Sequence, residues 1–328
     1  MHSLNIPCVL MTCTLVCSAS FGDAEAALLE VGPQYALKAP SEAARVAQAG
    51  DLIIIHEADY FEDTAVWRQD DLEIVGEGTV RIIAGEDFVP NGKALWLTQG
   101  RGMTIRNIEF QNARVADFNG AGIRVERGSL VIERCTFRGN EMGVQTSNRQ
   151  DIELTVRNSV FADNALAFGS MGFPSHSIYV GRIGFFELTD SEISGANRGH
   201  NVKSRAAVTI LRNNRLFDTE ARTASYQVDL PNGGDALLEN NVMVKGARSE
   251  NQAIVSYGAE GIKYGVNRLE LRNNVLMSER PNTVGVMNHA SGTRPVLSVN
   301  AFEGVSTEMI SGWRLKLRRA AEKLRSKL

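Results

Sequence analysis

Ile105-Arg106-Asn107-Ile108-Glu109-Phe110 decides how this 328-residue chain is read, because its frame (apolar, any, Asn, any, any, apolar) returns along most of the sequence. The frame recurs at Val156, Asn158 and Phe161, at Leu211, Asn213 and Leu216, at Leu238, Asn240 and Met243, and at Leu271, Asn273 and Leu276. Leu188, Asp190 and Ile193 keep an Asp in the Asn place, while Ile132, Arg134 and Phe137, and Leu297, Val299 and Phe302, keep only the apolar frame. Seven steps from Ile105 to Leu297 span 192 residues, a mean near 27. Such a period, carrying short β-type runs and no 3.6-residue stripe, is the mark of a solenoid.

In a parallel β-solenoid each coil lies about 4.8 Å above the last, so equivalent residues stack in columns. Columns of Val, Ile, Leu and Phe then fill the interior. An Asn column suits a sharp corner for two physical reasons. Its amide both donates and accepts along the stack, and Asn tolerates the left-handed backbone that a corner needs. The repeated Asn residues are therefore read as structural. Short strands such as Gly122 to Val125, Ser177 to Val180, Asn201 to Ser204 and Gln227 to Leu230 fit the same unit. The expectation is one all-β domain spanning residues 27–305 and made of about ten coils.

Composition agrees with a single elongated core: 43% hydrophobic, 22% charged, net charge −3, and no Pro- or Ser-rich linker. A slightly acidic body without a basic patch interleaved with aromatics excludes a nucleic-acid partner. Residues 1–26 read as an export signal. The apolar run from Ile6 to Val16 is too short to span a bilayer and is followed by small residues in Ser18-Ala19-Ser20 and Ala24-Glu25-Ala26. Three of the four Cys residues lie in that segment, which leaves Cys135 as a core or corner residue and no internal disulfide. The expected location is periplasmic or extracellular, as a monomer.

Both ends of a solenoid need covering against edge pairing. Pro40 to Ala47 reads as a short capping helix with a Ser N-cap, ending at Gly50 before a strand from Leu52 to Ile55. Residues 306–328 read as a basic amphipathic helix: Ile310, Trp313, Leu317, Ala320, Leu324 and Leu328 form one face and Arg and Lys the other. It is read as a terminal cap, with peripheral membrane contact through 310–328 as the alternative.

The candidate site lies between Phe173 and Gly261. If Ile178, Val202 and Val228 are equivalent inward residues, strand alternation makes Tyr179, Lys203 and Asp229 one outward column, with Ser177, Asn201 and Gln227 in a second and Arg205 beside it. By the same parity His176, His200 and Tyr226 point inward or sit at the preceding corner, as a stack of neutral histidines bonded to backbone. Cleavage of a uronate-containing polysaccharide by abstracting the proton next to a carboxylate needs a base, a cation to stabilise the enolate, and an acid for the leaving oxygen. Lys203 and Arg205 are candidates for base and carboxylate neutralisation, and Tyr179 or His200 for the acid. Asp229, Asn201, Gln227, Tyr257 and Glu260 are candidates for substrate contact. Hydrolysis would instead need two carboxylates at a set separation, for which Asp229 and Glu260 are the pair. An ion pair between Lys203 and Asp229 that merely neutralises a column is the plain alternative. No spaced His/Cys cluster suggests zinc, no other cofactor is called for, and calcium is left open because no acidic loop defines a ligand set.

Several of these stretches resemble a known family. Ala43-Ala44 through Gly50-Asp51-Leu52-Ile53 to Tyr60, Asn119 to Arg124, Gly199 to Ala206, Ser225-Tyr226, Asp229 to Gly234, and Tyr257-Gly258-Ala259-Glu260-Gly261 together resemble exported bacterial right-handed parallel β-helix proteins of the pectate-lyase-like superfamily. The resemblance covers about residues 30–305 and implies a right-handed coil. It also implies carbohydrate chemistry on a polysaccharide, of lyase, epimerase or hydrolase type. The calcium-binding acidic cluster of pectate lyases has no residue-by-residue counterpart here. The rival reading is a non-catalytic glycan-binding or envelope-structural module.

Overall fold

In the computed structural model, which describes residues 26–165, 175–219 and 223–311, the chain winds into a parallel β-helix. Its strands form a ten-stranded sheet and a bent nineteen-stranded sheet, and every strand pairing is parallel. The ten strands of the shorter sheet, from Ala65–Trp67 to Val305–Ser311, mark the ten coils expected from the period. The longer sheet holds two strands per coil. Leu52–Phe61 and Glu73–Ile83 run through both of its halves at the N-terminal end, so the strand expected to end at Ile55 continues to Phe61.

The repeated frame does what its chemistry predicts. Ile74, Ile105, Ile132, Val156, Leu188, Leu211, Leu238 and Leu271 stack in register as one interior column. Trp67, Trp96, Phe110, Phe137 and Phe161 form a continuous aromatic stack inside, with centroids 4.7 to 5.2 Å apart. The frame's Asn residues sit in the left-handed region, from Asn107 at φ 57° to Asn273 at φ 51°, and the degenerate Arg134, Asp190 and Val299 adopt the same corner.

The continuous amide ladder lies one residue later. Ser159, Ser191, Asn214, Asn241 and Asn274 are each buried. Each accepts the backbone N–H of the coil below through its side-chain oxygen, at 2.9 to 3.2 Å. Asn214 and Asn241 also donate Nδ2 both to the next Asn and to a backbone carbonyl. Such fully paired buried amides hold register without leaving a polar atom unbonded.

At the N-terminal end the helix Pro40–Val46 packs over the first coils, but Ser41 is not its cap. Pro40 takes the first helical position, Ala39 is the N-cap, and the Ser41 amide donates to Asp63 Oδ2 at 3.0 Å instead. At the other end Val305–Ser311 is a strand of the ten-stranded sheet, so no helix starts at 306. One more parallel partner, Thr283–Asn288, supplies the pairing that holds these residues extended. The rest of the expected C-terminal helix, and nearly all of the expected signal segment, lie outside the described residues.

Candidate active site

On the outside of the ten-stranded sheet the register lines up Val66, Leu97, Arg124, Gln145, Tyr179, Lys203, Asp229, Ser256, Met287 and Ile310. The column is apolar at both ends and polar from Arg124 to Ser256. Arg124, Gln145, Tyr179 and Lys203 of that middle part line a groove of about 530 Å³, walled by Asp117 to Asn119 on one side and reaching Glu260 on the other. Tyr179, Lys203 and Asp229 are therefore neighbours, as parity predicts. Arg124 and Gln145 extend the column by two coils, and alternation carried back from Tyr179 through Gly122 to Val125 would have found Arg124.

Arg205, at the turn after strand Val202–Ser204, reaches into the same groove. Its Nε donates to the Tyr179 hydroxyl oxygen at 3.2 Å, one terminal nitrogen donates to Asn232 Oδ1 at 3.1 Å, and both terminal nitrogens grip Glu260. Lys203 Nζ lies 3.3 Å from Asp229 Oδ2 and 3.3 Å from Glu260 Oε1. The two carboxylate oxygens are thus no further apart than twice that distance, with an ammonium between them. The Lys203 ammonium occupies the space in which an inverting hydrolase would place a water between its carboxylates.

Burial sets the charges. Desolvation raises the Asp229 carboxyl, with the nearby Lys203 ammonium working against it. Glu260 is lowered, first by its hydrogen bond from Arg205. Burial pulls the Arg205 guanidinium down, but its bonds to Glu260 and Tyr179 outweigh that and leave it raised. Arg124 is lowered by burial; one terminal nitrogen donates to Gln145 Oε1 at 2.6 Å.

The histidines form a stack along the groove wall. His176 and His200 lie parallel with centroids 4.7 Å apart, flanked by Tyr179 and Tyr226. Each Nδ1 accepts a backbone N–H from the next coil, His200 to His176 at 3.0 Å and Tyr226 to His200 at 3.3 Å. Desolvation first, then the neighbouring cations and, for His176, His200, lowers both well below 6.5, so both are neutral with the proton on Nε2. His200 Nε2 points at Asp229 Oδ2, 3.5 Å away. Neither ring offers a free lone pair, so neither suits a base. The backbone-bonded neutral stack expected from sequence is present, but both rings border the groove and do not point into the core.

Three candidates for substrate contact lie elsewhere. Asn201 and Gln227 are fully buried, bonded to each other and to the carbonyls of Phe217 and Val244. Alternation breaks at the corner before each strand, which turns these amides inward and His200 outward. Tyr257 is also in the core, paired beside Leu230, with its hydroxyl donating to Gly234 O at 2.7 Å. Cys135 is enclosed as expected, its thiol pushed up to about 12 chiefly by burial. Among the described residues no group of three or more His, Cys, Asp or Glu converges as metal ligands.

Comparison with known proteins matches the pattern. Residues 60–216 match the family described as right handed beta helix region. No curated protein matches the chain. Among solved structures, the alginate lyase from Paenibacillus sp. str. FPU-7 superposes with a TM-score of 0.62 at 13% identity, over 86% of this chain and 99% of that one. Pectate lyase Pel9A superposes with a TM-score of 0.55 at 13% identity, over 88% and 80%. At these identities the likeness is one of fold, and register, coil and matched region together make this chain a right-handed parallel β-helix.

Proposed function

We propose that this protein binds an acidic polysaccharide along the groove from Arg124 to Glu260 and cleaves it by β-elimination. The observation that carries the reading is the junction of Tyr179, Lys203 and Arg205: a phenol oxygen 3.2 Å from a guanidinium nitrogen, with an ammonium one register step from the phenol. Arg205 and Lys203 would hold the sugar carboxylate and spread the enolate charge as the neighbouring carbon loses its proton. Tyr179, reacting as the phenolate whose charge the adjacent guanidinium offsets, would take that proton to become the phenol and then return it to the leaving sugar oxygen as the C–O bond breaks. The product carries a new carbon–carbon double bond. Lys203, sandwiched by two carboxylates, suits charge neutralisation better than the base role open to it from sequence. Two proteins of like fold are lyases by name, which supports the class. Export, read from residues 1–26, would place the protein where such polymers occur.

A binding-only module is favoured by one observation: Lys203 and Arg205 already have carboxylate partners. Purified protein offered alginate, pectate and glucuronan separates the readings. Lysis gives rising ultraviolet absorbance from unsaturated ends, abolished in Lys203→Ala and Tyr179→Phe. Retained affinity for a polymer with no product from any of them would sink the lyase reading.

A further inference from the structure

Glu260 sits where a ligand's carboxylate would go. Its two oxygens take the two terminal nitrogens of Arg205 in a fork, one of them at 2.8 Å, and Lys203 Nζ closes on the same carboxylate at 3.3 Å. This is the planar, bidentate geometry with which Arg recognises carboxylates. The cradle is built without Glu260. Tyr179 fixes Arg205 at Nε, Asn232 fixes a terminal nitrogen, and Asp229 fixes Lys203, all on strands or turns of the coil.

Glu260, by contrast, is 45% exposed and hangs from a turn held by its backbone. Gly258 N–H donates to Leu230 O at 2.9 Å, Glu260 N–H to Pro231 O at 2.9 Å, and Lys263 N–H to Asn232 O at 3.0 Å. Rotation about the Glu260 side chain can empty the cradle while the turn stays in place. Glu260 is the solvent-facing member of the cluster, at 45% exposure against 16% for Arg205 and 12% for Lys203, so water can take up its carboxylate as it turns away.

We infer that Arg205 and Lys203 form a carboxylate-binding subsite in which Glu260 is the resident occupant, ceding its place to the carboxylate of an acidic sugar. The identity of that sugar rests on the function proposed above; the cradle and its occupant do not. If Glu260 fills the subsite about nine-tenths of the time, its removal raises apparent affinity roughly tenfold.

The test is calorimetric titration of the full chain and of Glu260→Gln with succinate, and separately with trimers of galacturonate and mannuronate. Glu260→Gln should bind succinate roughly tenfold more tightly than the parent, and Arg205→Ala added to it should remove the gain. Glu260→Ala, which keeps the backbone-held turn, is the second variant should Glu260→Gln misfold. Unchanged or weaker succinate binding in both variants overturns the proposal and makes Glu260 a fixed clamp. A gain with succinate but none with either trimer upholds the subsite and overturns the sugar as its ligand.

Discussion

On the outside of the longer sheet, Arg106, Glu133, Arg157, Thr189, Arg212, Glu239 and Arg272 stack in register, and on the outside of the shorter sheet Arg124, Gln145, Tyr179, Lys203 and Asp229 do the same. Both columns carry charges one coil apart. In the first, Arg and Glu pair between coils on either side of Thr189, and the arginines lie open to water: Arg157 and Arg212 are 45% and 39% exposed. In the second, Lys203 and Asp229 are 12% and 5% exposed under the turns that wall the groove. The same stacking therefore yields a solvated ladder on one face and a low-dielectric cluster on the other. Proximity is common to both, and burial is what separates them.

The sharpest test of that contrast is catalytic. Removing one charge from each column should have opposite consequences for turnover of the cleaved polymer. Lys203→Ala and Tyr179→Phe should each lower the rate of double-bond formation by roughly a hundredfold or more, while Arg212→Ala leaves it unchanged. Equal losses in Lys203→Ala and Arg212→Ala would mean that burial does not distinguish the two faces.

Next in size is a stability contrast inside the coil. Asn241 accepts from the Asn214 backbone and side chain and donates to Leu211 O and Asn274 Oδ1, all at 2.9 to 3.0 Å and all buried. Asn241→Ala strands several of these groups, at about 1–3 kcal/mol each, so a loss of about 3 kcal/mol or more is expected in urea unfolding. Asn240→Ala, at the exposed corner with φ 56°, should cost only about 1 kcal/mol. A reversed order would place the structural weight on the corner.

That pair also shows what the sequence could tell. The left-handed corner was legible in Asn107, Asn158, Asn213, Asn240 and Asn273 because an apolar frame brackets each. The ladder beside it was not, although Asn214, Asn241 and Asn274 are all present, because its earlier rungs are Ser159 and Ser191 and its register needs coordinates. In the site, parity placed Tyr179, Lys203 and Asp229 correctly since they lie within strands. It failed for Asn201 and Gln227, which occupy the corner where alternation breaks, while His200 took the corner position that was one of its two expected places. Glu260 reached the cluster from a turn 57 residues beyond Lys203, a distance that no local pattern encodes.

A smaller effect is pH dependence from the buried histidines. Their folded pKa values lie well below 6.5, so below that pH the unfolded chain binds protons that the folded chain refuses. Their contribution to stability is present above about 6.5 and is lost as pH falls toward the folded values, by up to about 1.4 kcal/mol per pH unit for each ring. Asp229 works the other way, because burial makes its folded carboxyl bind a proton before the unfolded one does. Melting curves from pH 7.5 to 5 should therefore fall, and His176→Gln should fall less steeply. A parallel decline in both would remove His176 as the cause.

The smallest expected effect belongs to the solvated ladder. Arg212 lies between Glu187 at 3.4 Å and Glu239 at 3.1 Å, and Glu239 also has Arg272 at 3.9 Å. An exposed side chain pays rotamer entropy to hold this geometry, and water and salt screen what it gains. Glu239 keeps Arg272 after Arg212→Ala, and Glu187, which loses its arginine, is 25% exposed and can be hydrated. A loss below about 1 kcal/mol is expected, shrinking further in 0.5 M salt, where the screening length falls below about 8 Å. A loss that is large and insensitive to salt would show that the exposed ladder carries register energy, and that the two faces differ less than their burial implies.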